Sequence, residues 1–142
     1  MKSHLIAPYL IAYAKTAVIF LVLDAIWLGF VATSFFQAQL GHLLRDDINL
    51  GVALIFYLFY AVGIVIFGVR PALTENCAAP VKTAALFGGL FGFFAYATYD
   101  MTNYITLPGW PEIVILVDVT WGTFASAVAA ACGVWGRDAK AS

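Results

Sequence analysis

The sequence predicts an all-α integral membrane protein: a bundle of four transmembrane helices with a short amphipathic interfacial segment between the first and second, and both termini cytoplasmic. Three observations carry this. The 142 residues are 63% hydrophobic and 11% charged, whereas an ordinary soluble domain is about 25% charged, and no water-soluble fold of this size has an interior large enough for so much apolar sequence. Four apolar runs each approach or exceed the roughly 20 residues that span a hydrocarbon core as a helix. Finally, Lys2, Lys15, Arg70, Lys82, Arg137 and Lys140 fall on the side of the N-terminus, the middle loop and the C-terminus, leaving Arg45 opposite; basic residues mark the cytoplasmic face. Residues 1–142 are expected to form one transmembrane domain in the lipid bilayer.

The first helix is expected over about 11–34, after a short lead-in containing Pro8. It is read as an uncleaved span, because the run is long for a signal peptide and carries Asp24 and Trp27. Lys15 is placed to snorkel to the headgroups. Between 35 and 49 the polar residues Gln37, Gln39, His42, Arg45 and Asp46 interleave with Phe36, Leu40 and Leu43. Those three apolar positions share a helical face and predict the interfacial segment, with His42 at the surface. The second helix, about 50–69, has Asn49 as its N-cap candidate and Arg70-Pro71 as its stop. The third, about 81–103, follows Pro80 and contains Gly88-x-x-x-Gly92, a spacing that lets helices approach closely in lipid. Pro108-Gly109-Trp110-Pro111 is a tight connection with Trp110 suited to the interface belt. The alanine-rich fourth helix, about 113–134, is thin enough for others to pack closely against it.

The chemistry is concentrated in a few polar residues inside these runs. Asp24-x-x-Trp27 in the first helix recurs as Asp118-x-x-Trp121 in the fourth, and the third ends in Asp100-Met101-Thr102-Asn103. A carboxylate at a helix centre costs about 2.5–3.5 kcal/mol on insertion scales, so it must face protein or water, and it is a functional-site candidate by default. Tyr57 and Tyr60 stand one turn apart; Tyr96, Asp100 and Asn103 share a face. Counting 1.5 Å per residue from the outer helix ends puts each carboxylate of the first and fourth helices level with the other's tryptophan, with Asp100 closer to the outer surface. The expectation is one polar and aromatic layer in the outer half of the bilayer, made of Asp24, Trp27, Tyr57, Tyr60, Tyr96, Asp100, Asn103, Asp118 and Trp121, with no Lys, Arg or His. Without a cation or water there, at least one carboxylate is expected to hold a proton.

Four stretches resemble a bacterial membrane family known as domain of unknown function 2177. They are Leu23-Asp24-Ala25-Ile26-Trp27-Leu28-Gly29, Gln39-Leu40-Gly41-His42-Leu43-Leu44, Ala95-Tyr96-Ala97-Thr98-Tyr99-Asp100-Met101-Thr102-Asn103, and Val117-Asp118-Val119-Thr120-Trp121-Gly122-Thr123. The resemblance implies a small four-span protein of the inner membrane and supplies no activity or catalytic residue.

Function is bounded mainly by exclusion. A net charge of −1 with scattered basic residues gives no footprint for nucleic acid. Cys77 and Cys132 are far apart and read as two free thiols. Neither a His-rich di-iron pattern, a Ser or Cys nucleophile motif nor a nucleotide-binding glycine loop is present, so no cofactor or metal is expected. The leading reading is a protein that binds or transports a cation, a proton or a small amphipathic ligand in the carboxylate layer, as a homodimer if it transports. The alternatives are a membrane-embedded enzyme acting on a lipid or isoprenoid through a carboxylate acid/base pair, and a structural or assembly subunit held by Asp–Trp clamps.

Overall fold

The computed structural model describes residues 3–74 and 77–136. Lys2, Arg137 and Lys140, which contribute to the expected orientation, and Glu75 and Asn76 of the middle loop lie outside the described residues. Four helices long and apolar enough to cross a membrane make up the fold, and the described residues contain no strand. Large apolar side chains such as Phe30, Ile55 and Ile105 point outward and are exposed. That distribution suits a lipid solvent and makes the chain a multi-pass membrane protein.

The first helix is longer than its apolar run. It begins α-helical over Ser3–Trp27, passes through a π-helical segment at Leu28–Ala32, and resumes as α-helix over Thr33–Leu40. The helix begins five residues before Pro8, which therefore lies in its second turn instead of the opening one and costs the ladder one N–H. The amphipathic stretch expected at 35–49 therefore starts as the last two turns of this helix, because nothing breaks the ladder before Gly41; 41–49 is irregular. Thr33 donates its hydroxyl to the carbonyl of Leu28, five residues back, within the widened π turns. At about 1.5 Å per residue the whole element is on the order of 55 Å long, so it tilts or projects beyond a hydrocarbon core of about 30 Å.

The second helix starts at Leu50, where the Asn49 side chain accepts from the backbone N–H of Val52. It runs as α-helix to Gly63, as π-helix over Ile64–Val69 and ends in Arg70–Ala72. Pro71 was expected to stop it. The helix continues to Ala72, one residue past it, and the π segment allows this: the Arg70 backbone N–H donates back five residues to the Val65 carbonyl, and the wider turn accommodates a proline that has no N–H to place. The third helix, Pro80–Thr106, and the fourth, Glu112–Gly133, form an antiparallel hairpin whose turn includes Gly109 at φ +80°.

The hairpin packs through small residues. A Cβ on Gly88 would lie 2.5 Å from the Ala130 Cβ; one on Gly92 would run into the Gly122 carbonyl, and one on Gly122 into the Tyr96 ring. These contacts share one register, since Gly88 and Ala130, Gly92 and Ser126, and Tyr96 and Gly122 lie at equal distances along the chain from Gly109. The steps of four residues keep them on one face of each helix. The π segment of the second helix joins the seam where Gly68 meets Gly88 and Ala130. By contrast its first part, Leu50–Gly63, reaches the third helix through rings: Tyr60 lies 5.2 Å from Phe91 and 6.1 Å from Tyr96. Phe20, Ile64, Val69, Ala125 and Ala129 fill the core between the helices. Lys15 of the first helix donates to the carbonyl of Trp135, just past the end of the fourth helix, where a cation also suits the helix dipole.

Replacing Gly92 by leucine is expected to separate the third and fourth helices and cost about 3 kcal/mol, read as a fall in melting temperature in detergent micelles. Gly29, where an added Cβ meets nothing within 4 Å, is the control. Gly29→Ala is expected to stay within about 0.5 kcal/mol of wild type.

Candidate functional site

The hairpin register continues one step beyond Tyr96 and Gly122 and there pairs Asp100 with Asp118, again equidistant from Gly109. The two carboxyl groups approach each other across the interface of the third and fourth helices. Both stand about 9 Å from the hairpin end of their helices. Asp100 is fully buried, and neither of its oxygens has a hydrogen-bond donor in bonding geometry. The indole of Trp110 faces the same carboxyl, yet its Nε1 is also without a closed hydrogen bond. Two complementary groups thus stand orphaned side by side in the interior, where an unmade bond costs about 1–3 kcal/mol.

Asp24 has a different environment. It is buried, and the Trp121 Nε1–H donates to its Oδ1 at 2.9 Å. The Tyr57 hydroxyl approaches the same carboxylate. One of the two reciprocal Asp–Trp contacts expected from helix depth is therefore made. The other is not: Trp27 stacks flat on Trp121, with ring centroids 4.4 Å apart and planes 6° from parallel, while Asp118 turns to Asp100. The edge of the Trp121 ring thus serves Asp24 while one of its faces is covered by Trp27.

The tyrosines line the space between these carboxylates. Tyr60 shares a 3.0 Å hydroxyl hydrogen bond with Ser126 and packs on Phe20. Tyr96 lies against Gly122. A cavity of about 220 Å³ touches Asp24, Trp27, Tyr57, Tyr96, Asp118 and Trp121, and is bounded by Leu40 and Trp110. A second, of about 340 Å³, touches Phe20, Tyr57, Tyr60, Tyr96 and Asp118. Eight of the nine expected site residues, all but Asn103, thus gather in one layer around the carboxyls. Asn103 is partly exposed and pairs with Tyr99 instead.

Asp100 stands near the hairpin end of its helix, level with Asp118, and is nevertheless fully buried, with the Trp110 indole facing its carboxyl. Two residues missing from the expected set belong to the layer. Tyr99 lines both cavities, and its spacing of three from Tyr96 was a usable signal. Trp110, expected in the interface belt, is 8% exposed and packs with Leu40 and Val114; it meets Tyr99 edge to face at 5.8 Å. Nothing local in Pro108-Gly109-Trp110-Pro111 distinguishes an inward indole from an outward one. Among the described residues no group of His, Cys, Asp and Glu side chains has the geometry to hold a metal ion. No Lys, Arg or His lines either cavity.

The Asp24–Trp121 contact yields a direct prediction. In a double-mutant cycle with Asp24→Leu and Trp121→Phe, in which phenylalanine keeps a ring against Trp27, the coupling is expected to be about 1 kcal/mol. Thermal or denaturant unfolding of the four proteins checks it, and a coupling near zero contradicts it.

Comparison with known proteins returns no match among curated proteins and none among solved structures. A family model matches residues 9–135, nearly the whole chain and all four helices. The chain belongs to the family described as predicted membrane protein, domain of unknown function 2177.

Proposed function

We propose that the layer binds a cationic group, with Asp118 as the charge that meets it and the aromatic rings as its walls. The observation that carries this reading is the unequal treatment of the carboxyls: Asp24 has an indole donor, whereas no basic side chain lines the cavities that Asp118 enters. A carboxylate in a low-dielectric site favours a bound cation, and ring faces add a further 0.5–2 kcal/mol or so to such a contact. Proton exchange at the same carboxyls, and transport of the bound species by a homodimer, are extensions of this reading. Residence in a bacterial inner membrane with cytoplasmic termini is part of the same proposal. It is supported by Lys15, Arg70 and Lys82 at one end of the bundle and Arg45 at the other.

A structural or assembly role has one specific observation in its favour, the Asp24–Trp121 hydrogen bond, which ties the first helix to the fourth. That accounts for Asp24 and leaves Asp118 and Asp100 without a purpose. For an enzyme acting on a lipid or isoprenoid, the paired Asp100 and Asp118 would have to serve as acid and base, and no neighbouring group indicates a reaction.

Tetramethylammonium is the simplest probe. In maltoside micelles its titration is expected to change tryptophan fluorescence saturably, because Trp27, Trp110 and Trp121 surround the site. Asp118→Asn is expected to weaken that response at least tenfold, and Asp46→Asn in the exposed loop to leave it unchanged. An equal response in wild type and Asp118→Asn would overturn the proposal.

A further inference from the structure

We infer that the ligand of this layer is an amphipathic organic monocation, an amine or quaternary ammonium with one apolar tail, and that it enters sideways from the bilayer between the second and third helices. The inference rests on the cation-binding reading above and adds the ligand's class and route.

Shape carries it first. The backbone of the second helix comes closest to the third and fourth in its π segment, at Gly68, Gly88 and Ala130, and the Tyr60–Ser126 hydroxyl pair ties it to the fourth helix just above. Above that close approach, Leu50–Gly63 and the third helix stand apart and are bridged by rings. The resulting wedge is the 340 Å³ groove, with Ala53 and Ala95 as its small-residue walls and Asp118 at its inner end. Phe56 and Tyr99 form its rim and are 58% and 57% exposed, so the groove opens on the side where lipid lies.

The second observation concerns the other approach. The inner chamber is bounded towards the 41–49 connection by Phe36, Leu40 and Leu44 and by the buried Trp110. A hydrated ion coming from the water would pass these apolar side chains, which offer nothing to replace its shell. A molecule already dissolved in the bilayer meets no such barrier, and its tail stays in the groove while its head advances.

Charge supplies the third. Tyr57, Tyr96, Tyr99 and Asp118 belong to both the groove and the chamber, so one ligand occupies them together. Its head lies among ring faces beside Asp118, with Asp24 and the fully buried, donor-less carboxyl of Asp100 behind. An anionic or zwitterionic headgroup finds no cationic partner there. A positive head finds attraction from both the rings and the carboxyls, and a quaternary one asks for no hydrogen bond that tyrosine hydroxyls would have to supply.

The test compares decyltrimethylammonium with tetramethylammonium and decanol, using tryptophan fluorescence of the full chain in maltoside micelles. Decyltrimethylammonium is expected to bind at least tenfold more tightly than tetramethylammonium, and decanol not to compete with it. Filling the groove with Ala53→Trp is expected to weaken decyltrimethylammonium at least tenfold while leaving tetramethylammonium within twofold. The comparison on wild type stands even if that variant fails to fold. Equal affinity for the two cations, or competition by decanol, would overturn the lateral amphiphile while leaving cation binding in place. Absence of binding by either cation would overturn both.

Discussion

The antiparallel register of the third and fourth helices is the constraint from which the rest of the layer follows. Glycines at 88, 92 and 122 let two backbones come within van der Waals distance, which in lipid is the main source of helix association. Once Gly88 opposes Ala130, steps of four residues oblige Tyr96 to lie on Gly122 and Asp100 to meet Asp118. Two carboxyls come together because the packing that stabilises the hairpin places them there. The same closeness draws in the second helix at Gly68, while one turn earlier its Gly63 meets the Phe91 ring, and rings rather than backbone contacts bridge its first half to the third helix.

The two Asp-x-x-Trp sequences look equivalent and end in different situations. Asp24 receives the Trp121 indole and is held in a made hydrogen bond; Asp118 has a neighbouring carboxyl and a cavity. The difference arises from Trp27, which stacks on Trp121 and is then unable to reach Asp118. A motif repeated in sequence is thereby divided into a clamp between the first and fourth helices and a polar position that faces open space. The π turns at Leu28–Ala32 follow immediately after Trp27, beside the carboxylate layer.

Much of the fold was legible because membrane helices carry a strong signal. Apolar run length located all four, Asn49 was recognisable as a cap, and depth counting put Asp24 level with Trp121, to which it hydrogen-bonds. The π segments were not legible, since Leu28–Ala32 and Ile64–Val69 have the composition of ordinary membrane helix. The pairing of Asp100 with Asp118 was available in principle, by reflecting the third and fourth helices about Gly109 with Gly88 and Ala130 as the guide. Depth was instead counted separately for each helix, which misses the register that side-chain size imposes. The inward turn of Trp110 depends on Leu40 and Val114, contacts distant in sequence from the tight connection, and so had no local signal.

In the proposed division of roles, Asp24 serves the bundle while Asp118 is kept at a cost to it. Stability of Asp118→Asn measured against wild type tests this most directly. Asparagine keeps the size of the side chain, removes its charge from beside Asp100, and offers an amide N–H to a carboxyl whose oxygens have no donor. The melting temperature is therefore predicted to rise, as commonly happens when a polar group maintained for function is replaced. A clear fall in melting temperature would mean that Asp118 holds the helices together, and would contradict the division of roles between the two carboxylates.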